Sequence, residues 1–202
     1  MTFQRKGRAS RLISIAYECS HAVENKPIFE GLWFAREARH FIVDKEPDLG
    51  LTVLFTIANV IKGDETKYLD APISLCQELV RLLNRTSSGP TSTKEKGFTG
   101  VQLAKAVLDL IRYPGNIPRF VNAKVVTPLI RMLDTHESNP QECALNAIWS
   151  LTTAETHGDI RCNELMEKLR DLVVSPYPEV KQAARRLLIK MDQFSKPKGT
   201  QK

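Results

Sequence analysis

Apolar residues recur every three to four positions along most of the chain. This spacing places them on one face of an α-helix, whereas no segment shows the convincing alternation of apolar and polar residues that is typical of a β-strand. The pattern therefore predicts an all-α protein. The predicted helices cover residues 9–24, 27–43, 47–62, 70–85, 98–112, 117–121, 124–134, 139–153, 162–173 and 177–193.

Prolines mark the starts of several predicted helices. A proline is tolerated in the first turn of a helix because the N–H that it lacks would have no helical partner there. The prolines in such positions are Pro27, Pro47, Pro72, Pro140 and Pro178.

The segments outside the helices divide the chain. Residues 85–97 are rich in Ser, Thr, Gly, Pro and charge, a composition that predicts a flexible loop. Residues 1–8 read as a basic lead-in and 194–202 as a disordered basic tail. Residues 9–193 are then expected to form one helical repeat domain.

The predicted helices fall into repeated pairs. In the C-terminal half, VVTPLIRMLDTHESNPQECALNAIWSLTT is followed by ELMEKLRDLVVSPYPEVKQAARRLLIKM; each has an apolar helix, a polar loop with proline and an alanine-bearing helix. The alanine-bearing helices are anchored near Leu110, Leu151 and Met191, about 40 residues apart, which is typical of helical-repeat arrays. Such units stack because none can bury its apolar face alone.

The alanine-bearing helices carry a family resemblance. The stretches VLFTIANV, LAKAVLDL, ALNAIWSL and ARRLLIKM resemble the third helix of the armadillo repeat family, which reads approximately AA-x-AL-x-N-L. The stretch VNAKVVTPLIRML resembles the start of the preceding helix, with Ala123 and Lys124 where glycine is common. The resemblance covers about residues 20–193 and implies a right-handed α-solenoid of about four armadillo-like repeats.

The resemblance also implies a binding groove. In armadillo proteins the third helices line a concave groove, where an asparagine bonds the main chain of an extended peptide because an amide both donates and accepts. The positions that match this asparagine are Asn59, Asp109, Ser150 and Lys190. Four residues earlier, on the same helix face, stand Phe55, Lys105, Asn146 and Arg186. Trp149 lies one residue before Ser150, outside this register.

The charges of the inferred groove suggest a ligand. Arg186 and Lys190 make its C-terminal end basic, so we expect another protein as the partner, bound through an extended peptide with acidic residues. The leading function is thus a non-catalytic scaffold or adaptor that holds a peptide or helix in the groove. The alternative, that the eight groove positions are ordinary solvated residues on helix faces, stays open.

Two other functions stay open. One is a fragment or regulatory region of a larger armadillo protein, because the sequence starts within what resembles the last helix of a repeat, without a polar cap. The other is binding of nucleic acid or another acidic partner, given the net charge of +6. Much of the positive excess lies at the two ends, and no basic residues interleave with exposed stacking rings, so nucleic acid is the less favoured partner.

The sequence predicts no catalytic site. None of GxGxxG, GxxxxGK[ST], HExxH and GxSxG is present, so no enzyme, cofactor or small-molecule substrate is expected. The cysteines form no CxxC pair, and no histidine stands at ligand spacing, so no metal site is predicted.

Three further aromatic residues and the four cysteines are expected in the interior. Trp33, Phe34 and Phe41 read as core or repeat-packing aromatics. Buried free thiols are expected at Cys19, Cys76, Cys143 and Cys162. Free thiols, with neither a membrane-spanning run nor a signal segment, favour the cytoplasm, with the nucleus as an alternative.

Overall fold

The computed structural model describes residues 3–31, 33–42, 47–61 and 63–195, with side chains except at 3–10, 31, 63, 64 and 195. Helix accounts for 74% of the structure and strand for 2%, which confirms the all-α class. The α-helices are α1 (Phe3–Ser20), α2 (Lys26–Gly31), α3 (Phe34–Ala38), α4 (Pro47–Val60), α5 (Ile73–Thr86), α6 (Gly100–Leu110), α7 (Asn116–Asn122), α8 (Val126–Met132), α9 (Ser138–Leu151), α10 (His157–Ile160), α11 (Asn163–Leu172) and α12 (Pro178–Ser195). The 3-10 segments are Val23–Asn25, Arg39–Phe41 and Gly63–Leu69, and the strands are β1 (Lys94–Glu95) and β2 (Phe98–Thr99).

The prolines stand at the helix starts as predicted. Helices α4 and α12 begin at Pro47 and Pro178, and Pro72 directly precedes α5. Pro27 and Pro140 lie in the first turns of α2 and α9. The missing proline N–H therefore removes no helical hydrogen bond at any of these positions.

The chain groups into two compact units. Unit 1 consists of Met1–Leu79 and Asp109–Asn116, and unit 2 consists of Val80–Leu108 and Ile117–Lys202.

Helix α4 forms the centre of unit 1. It is apolar around most of its circumference, and helices α1, α2 and α3 pack against it. Leu51, Val53, Leu54 and Ile57 of α4 are fully buried. A helix without a continuous polar face is expected in such an interior position.

The alanine-bearing helices pack closely in unit 2. Helix α8 packs on α9, α11 packs on α12, and α12 packs on α9. Ala144, Ala147, Ala183 and Ala184 are all buried, as predicted from their role in close helix approach.

The predicted helix 27–43 is interrupted at Trp33. This residue has φ 52° and ψ 32°, in the left-handed region, and α3 begins only after it. Trp33 is 70% exposed, so the prediction of a core or repeat-packing position was wrong for this residue. Phe34 and Phe41 are half-buried.

The predicted loop 85–97 contains secondary structure. Helix α5 continues to Thr86, and β1 pairs antiparallel with β2, with Lys94 opposite Thr99. Lys96 and Gly97 connect the strands with φ values of 51° and 88°. Two consecutive positive φ angles are typical of the tight turn whose twist matches a hairpin. The sequence did not predict this hairpin, since its strands of two residues are too short to show alternation.

Two of the four thiols depart from the predicted burial. Cys76 is buried and Cys143 half-buried, whereas Cys19 and Cys162 are exposed; none forms a disulfide. Cys162 lies just before α11, at its N-terminal cap position. The expectation of four buried thiols was therefore wrong at Cys19 and Cys162.

The chain ends differ from the predicted boundaries. Helix α1 begins at Phe3, so residues 3–8 of the predicted lead-in are helical, and Met1 and Thr2 lie outside the described residues. Helix α12 reaches Ser195, and the rest of the predicted tail also lies outside them. Among the described helices, none combines the length and apolar character needed to cross a membrane.

Candidate functional site

The structure distributes the eight predicted groove residues over four helices. Phe55 and Asn59 lie on α4, Lys105 and Asp109 on α6, Asn146 and Ser150 on α9, and Arg186 and Lys190 on α12. Phe55, Asn59 and Asp109 belong to unit 1 and the other five to unit 2.

Helix α1 covers the α4 positions. Phe55 is only 5% exposed, and its ring centroid lies 6.4 Å from that of Tyr17. The Asn59 Nδ2 donates to Ser20 Oγ at 2.9 Å. The Ser20 hydroxyl donates in turn to the Tyr17 carbonyl at 2.6 Å. This corrects the expectation that Phe55 and Asn59 face an open groove, because the chain's own first helix occupies that face.

Burial under this packing affects Tyr17. Desolvation raises the pKa of the Tyr17 hydroxyl above its usual value of 10.0, and the nearby carboxylate of Glu18 adds to the rise. Both causes disfavour the phenolate, because a negative charge there would lose solvation and meet a like charge.

The α6 positions differ in exposure. Lys105 is exposed and Asp109 is half-buried. The Lys105 ammonium is therefore exposed to solvent on the part of α6 that belongs to unit 2.

Helices α9 and α12 bring an aromatic ring and two cations together. The Arg186 guanidinium carbon lies 5.3 Å, and the Lys190 Nζ 3.9 Å, from the centroid of the Trp149 ring. Lys190 Nζ also donates to the Trp149 carbonyl at 2.6 Å. We call this the Trp149 surface and define it as Asn146, Trp149, Ser150, Arg186 and Lys190.

Local sequence explains why these side chains meet. Arg186 and Lys190 are four residues apart on α12 and so share one face. Ala183 and Ala184 are buried on the same helix, and their small side chains let α12 approach α9 closely. Trp149 is 37% exposed on α9, so its ring is held at the surface beneath the two cations.

The arrangement has a defined electrostatic character. Desolvation lowers the pKa of the Lys190 ammonium, which is half-buried against the ring. Cations are attracted to the face of an indole ring by its quadrupole. Guanidinium and ammonium groups also make strong charge-assisted hydrogen bonds to carboxylates. The surface can therefore offer an anionic ligand two cations and an aromatic side.

Sequence reasoning identified four of the five members of this surface and missed Trp149. The armadillo register excluded it, because Trp149 precedes the matched position Ser150 by one residue. Its spacing of three from Asn146 on the same helix was the signal that could have found it.

Metal sites are usually composed of several His, Cys, Asp or Glu side chains. No group of three or more His, Cys, Asp or Glu residues among the described residues could hold a metal ion.

Comparison with known proteins gives a fold relationship. No protein-family model and no curated protein matches the chain. Among solved structures, the chain is similar to the crystal structure of an engineered protein from the Northeast Structural Genomics Consortium, with a TM-score of 0.56 and 15% sequence identity. The match covers 92% of this chain and 90% of that chain. At this identity, the similarity concerns the fold alone.

Proposed function

We propose that this protein is a non-catalytic interaction scaffold, an armadillo-like α-solenoid whose Trp149 surface binds an extended acidic peptide of a partner protein. The observation that carries the proposal is the placement of Arg186 and Lys190 over the Trp149 ring.

Helix packing inside unit 2 supports the repeat part of the proposal. The pairs α8–α9 and α11–α12 have the same order, an apolar helix followed by an alanine-bearing helix, and α9 packs on α12. This is the arrangement in which neighbouring repeats bury a continuous core.

The backbone at Lys124 supports the same part. Lys124 has φ 64°, in the left-handed region that glycine adopts without strain. It stands where glycine is common in the armadillo repeat that this segment resembles. If the repeat requires a positive φ at this position, glycine is favoured there because it adopts such an angle without strain.

The chemistry of the Trp149 surface supports the acidic ligand. A peptide carboxylate could accept from Arg186, whose planar guanidinium offers several donors at a fixed angle. The Asn146 amide, half-exposed on α9, can both donate to and accept from a peptide main chain. These groups complement an extended acidic peptide, because such a peptide presents carboxylates and unpaired main-chain N–H and C=O groups.

The surface is also partly pre-organised. Lys190 is held by its hydrogen bond to the Trp149 carbonyl and by the ring beneath it. Side chains that are ordered before binding lose less conformational entropy when the ligand arrives.

A peptide titration tests the proposal. The chain has two tryptophans, so a Trp33→Phe background leaves Trp149 as the only indole reporter. We expect a short peptide of glutamate and serine to change the Trp149 fluorescence saturably. Reversing both charges with Arg186→Glu and Lys190→Glu should weaken binding at least about tenfold, because charge-assisted hydrogen bonds contribute about 1.5–3 kcal/mol each.

The matched control reverses two other exposed cations of unit 2, Arg170→Glu and Arg185→Glu. Equal weakening in both double variants would contradict the proposal, since it would indicate only a general effect of net charge. Single-stranded RNA that binds more tightly than the peptide, and that only the Arg186 and Lys190 variant loses, would assign the surface to nucleic acid instead.

A further inference from the structure

Unit 1 contains a pocket of about 360 Å³ on the side of α2 and α3. Its walls carry four aromatic side chains and two carboxylates, namely Phe29, Trp33, Phe34, Tyr68, Glu30 and Glu65. Residues at the end of α4 and in α3 line the rest, namely Val60, Ile61, Ala35 and Arg36. A volume in the range of about 300–1,000 Å³ is typical of ligand pockets.

The aromatic wall of the pocket forms where the helical conformation is interrupted at Trp33. Phe29 and Phe34, on either side of the break, meet edge to face with their centroids 5.0 Å apart. Trp33 adopts its left-handed backbone conformation between them and exposes its ring at the pocket. Such a conformation is strained in a residue other than glycine, and strain of this kind concentrates at ligand-binding positions.

The charges around the pocket favour a cation. Glu30 and Glu65 both contribute carboxylates, and the one cation among the lining residues, Arg36, lies 3.8 Å from the Glu37 carboxylate. The lining residues thus include two carboxylates and one cation, on a chain whose net charge is +6. The Lys67 ammonium lies 5.2 Å from the Tyr68 ring centroid, so a cation of the chain itself already lies near one of the lining rings.

We infer that this pocket binds an arginine side chain of a partner protein. A guanidinium group is planar, stacks on aromatic faces and is more weakly hydrated than an ammonium, so it enters an aromatic pocket at lower cost than lysine does. The same group can donate to the Glu65 carboxylate at the rim. This site lies in unit 1 and binds a cationic group, whereas the ligand proposed for the Trp149 surface is anionic. The inference does not depend on the proposed function.

Nuclear magnetic resonance of the Trp33 indole N–H tests the inference. The chain has two tryptophans, so a Trp149→Phe variant assigns the signal. The probe is a blocked alanine peptide with one central arginine, and its matched control carries the neutral isostere citrulline. We expect the arginine peptide to shift the Trp33 signal saturably and the citrulline peptide to bind at least about tenfold more weakly.

Substitutions of Glu65 test the acidic rim. Glu65 is exposed, and both Glu65→Gln and Glu65→Lys should weaken binding of the arginine peptide, the second by at least about tenfold. Glu155→Lys, which changes an exposed carboxylate of unit 2, should leave it unchanged.

Four results would overturn the inference. They are no shift with the arginine peptide, equal binding of the citrulline peptide, no loss of affinity in either Glu65 variant, and tighter binding of a trimethyllysine peptide than of the arginine peptide. The last would assign the pocket to a different organic cation.

Discussion

Asn116 is a buried polar side chain whose two polar atoms are both used inside unit 1. Its Oδ1 accepts from the Ala71 N–H at 3.1 Å, and its Nδ2 donates to the carbonyls of Leu69 and Leu110 at 2.8 and 2.9 Å. One side chain therefore bonds main-chain groups that precede α5 and a main-chain group at the end of α6. Buried main-chain groups that lose such a partner pay the full cost of their desolvation.

We expect Asn116→Ala to lower the free energy of unfolding by about 2–4 kcal/mol, because three buried main-chain groups each lose a hydrogen bond, although the Leu110 carbonyl keeps the one from the Tyr113 N–H. Urea denaturation followed by circular dichroism measures this change. The control is Asn122→Ala, an exposed position on the same helix, which should change stability by less than about 0.5 kcal/mol. Similar losses in the two variants would contradict the role of the Asn116 hydrogen bonds.

The raised pKa of Tyr17 predicts that the free energy of unfolding depends on pH. Its pKa is raised in the folded chain, so above pH 10.0 the unfolded chain loses the Tyr17 proton first. The contribution of Tyr17 is therefore fully present below pH 10.0 and is lost as the pH rises through the folded pKa. Tyr17→Phe should remove this part of the alkaline decline.

The measurement for Tyr17 is the free energy of unfolding at several pH values from 8 upward, for wild type and variant. The lowered pKa of Lys190 acts with the opposite sign, since its folded form favours the neutral amine, and this part is common to both proteins. Parallel pH profiles would show that Tyr17 does not titrate differently in the folded chain.

Among the secondary-structure elements, α7 ends in a motif that is usually built on glycine. The Val125 N–H donates to the Phe120 carbonyl at 3.2 Å, and the Lys124 N–H donates to the Val121 carbonyl at 2.9 Å. This pair of bonds is the Schellman motif, and Lys124 occupies its left-handed position. A lysine there carries a backbone cost that a glycine would not.

We expect Lys124→Gly to raise the free energy of unfolding by about 0.5–1 kcal/mol, because relief of the left-handed strain exceeds the added entropy of the unfolded glycine. The matched control is Lys105→Gly, the same exchange at an exposed position inside α6, which should cost about 1 kcal/mol. Thermal unfolding of the two variants beside wild type measures both. A loss of stability in Lys124→Gly would show that the strain is not relieved.

Helices with strong periodicity and a proline at the start could be predicted from the sequence, while breaks and very short elements could not. The left-handed residue at the break is a tryptophan, and the nearby Gly31, the last residue of α2, is a weak signal because a single glycine inside an apolar period does not by itself end a helix. The hairpin of Lys94–Glu95 with Phe98–Thr99 and the four-residue α10 are shorter than any period can reveal.

The candidate site was predictable in part for a similar reason. Spacing along one helix identified Arg186 with Lys190 and Asn146 with Ser150, since each pair depends only on the helical repeat. The meeting of Trp149 with the two cations depends on how α12 lies against α9, and the covering of Phe55 depends on α1. Tertiary packing of this kind is not encoded in the period of one helix.

For the chain as a whole, unit 1 is discontinuous in sequence. Asp109–Asn116 returns to it after the chain has contributed Val80–Leu108 to unit 2. Besides Asn116, this returning segment supplies Arg112, whose Nη1 donates to the Ala58 carbonyl at 3.3 Å. Unit 1 therefore depends on residues that a cut after Leu79 would remove.

We expect a fragment of residues 1–79 to lack a cooperative unfolding transition, because the main-chain groups of Leu69 and Ala71 then have no Asn116. A fragment of residues 1–116, which keeps the returning segment, is the control and should retain one. Thermal circular dichroism distinguishes the two. An equally cooperative transition in the shorter fragment would show that unit 1 does not need Asp109–Asn116.

The exposed thiols offer a route to measuring this architecture in solution. Cys19 lies in unit 1 and Cys162 in unit 2, and both are exposed, while Cys76 is buried and Cys143 half-buried. Because accessible thiols react first, a maleimide dye should label these two positions without any engineered cysteine. Donor and acceptor fluorophores would then sit one on each unit, and energy transfer between them would report the separation of the units as peptides bind.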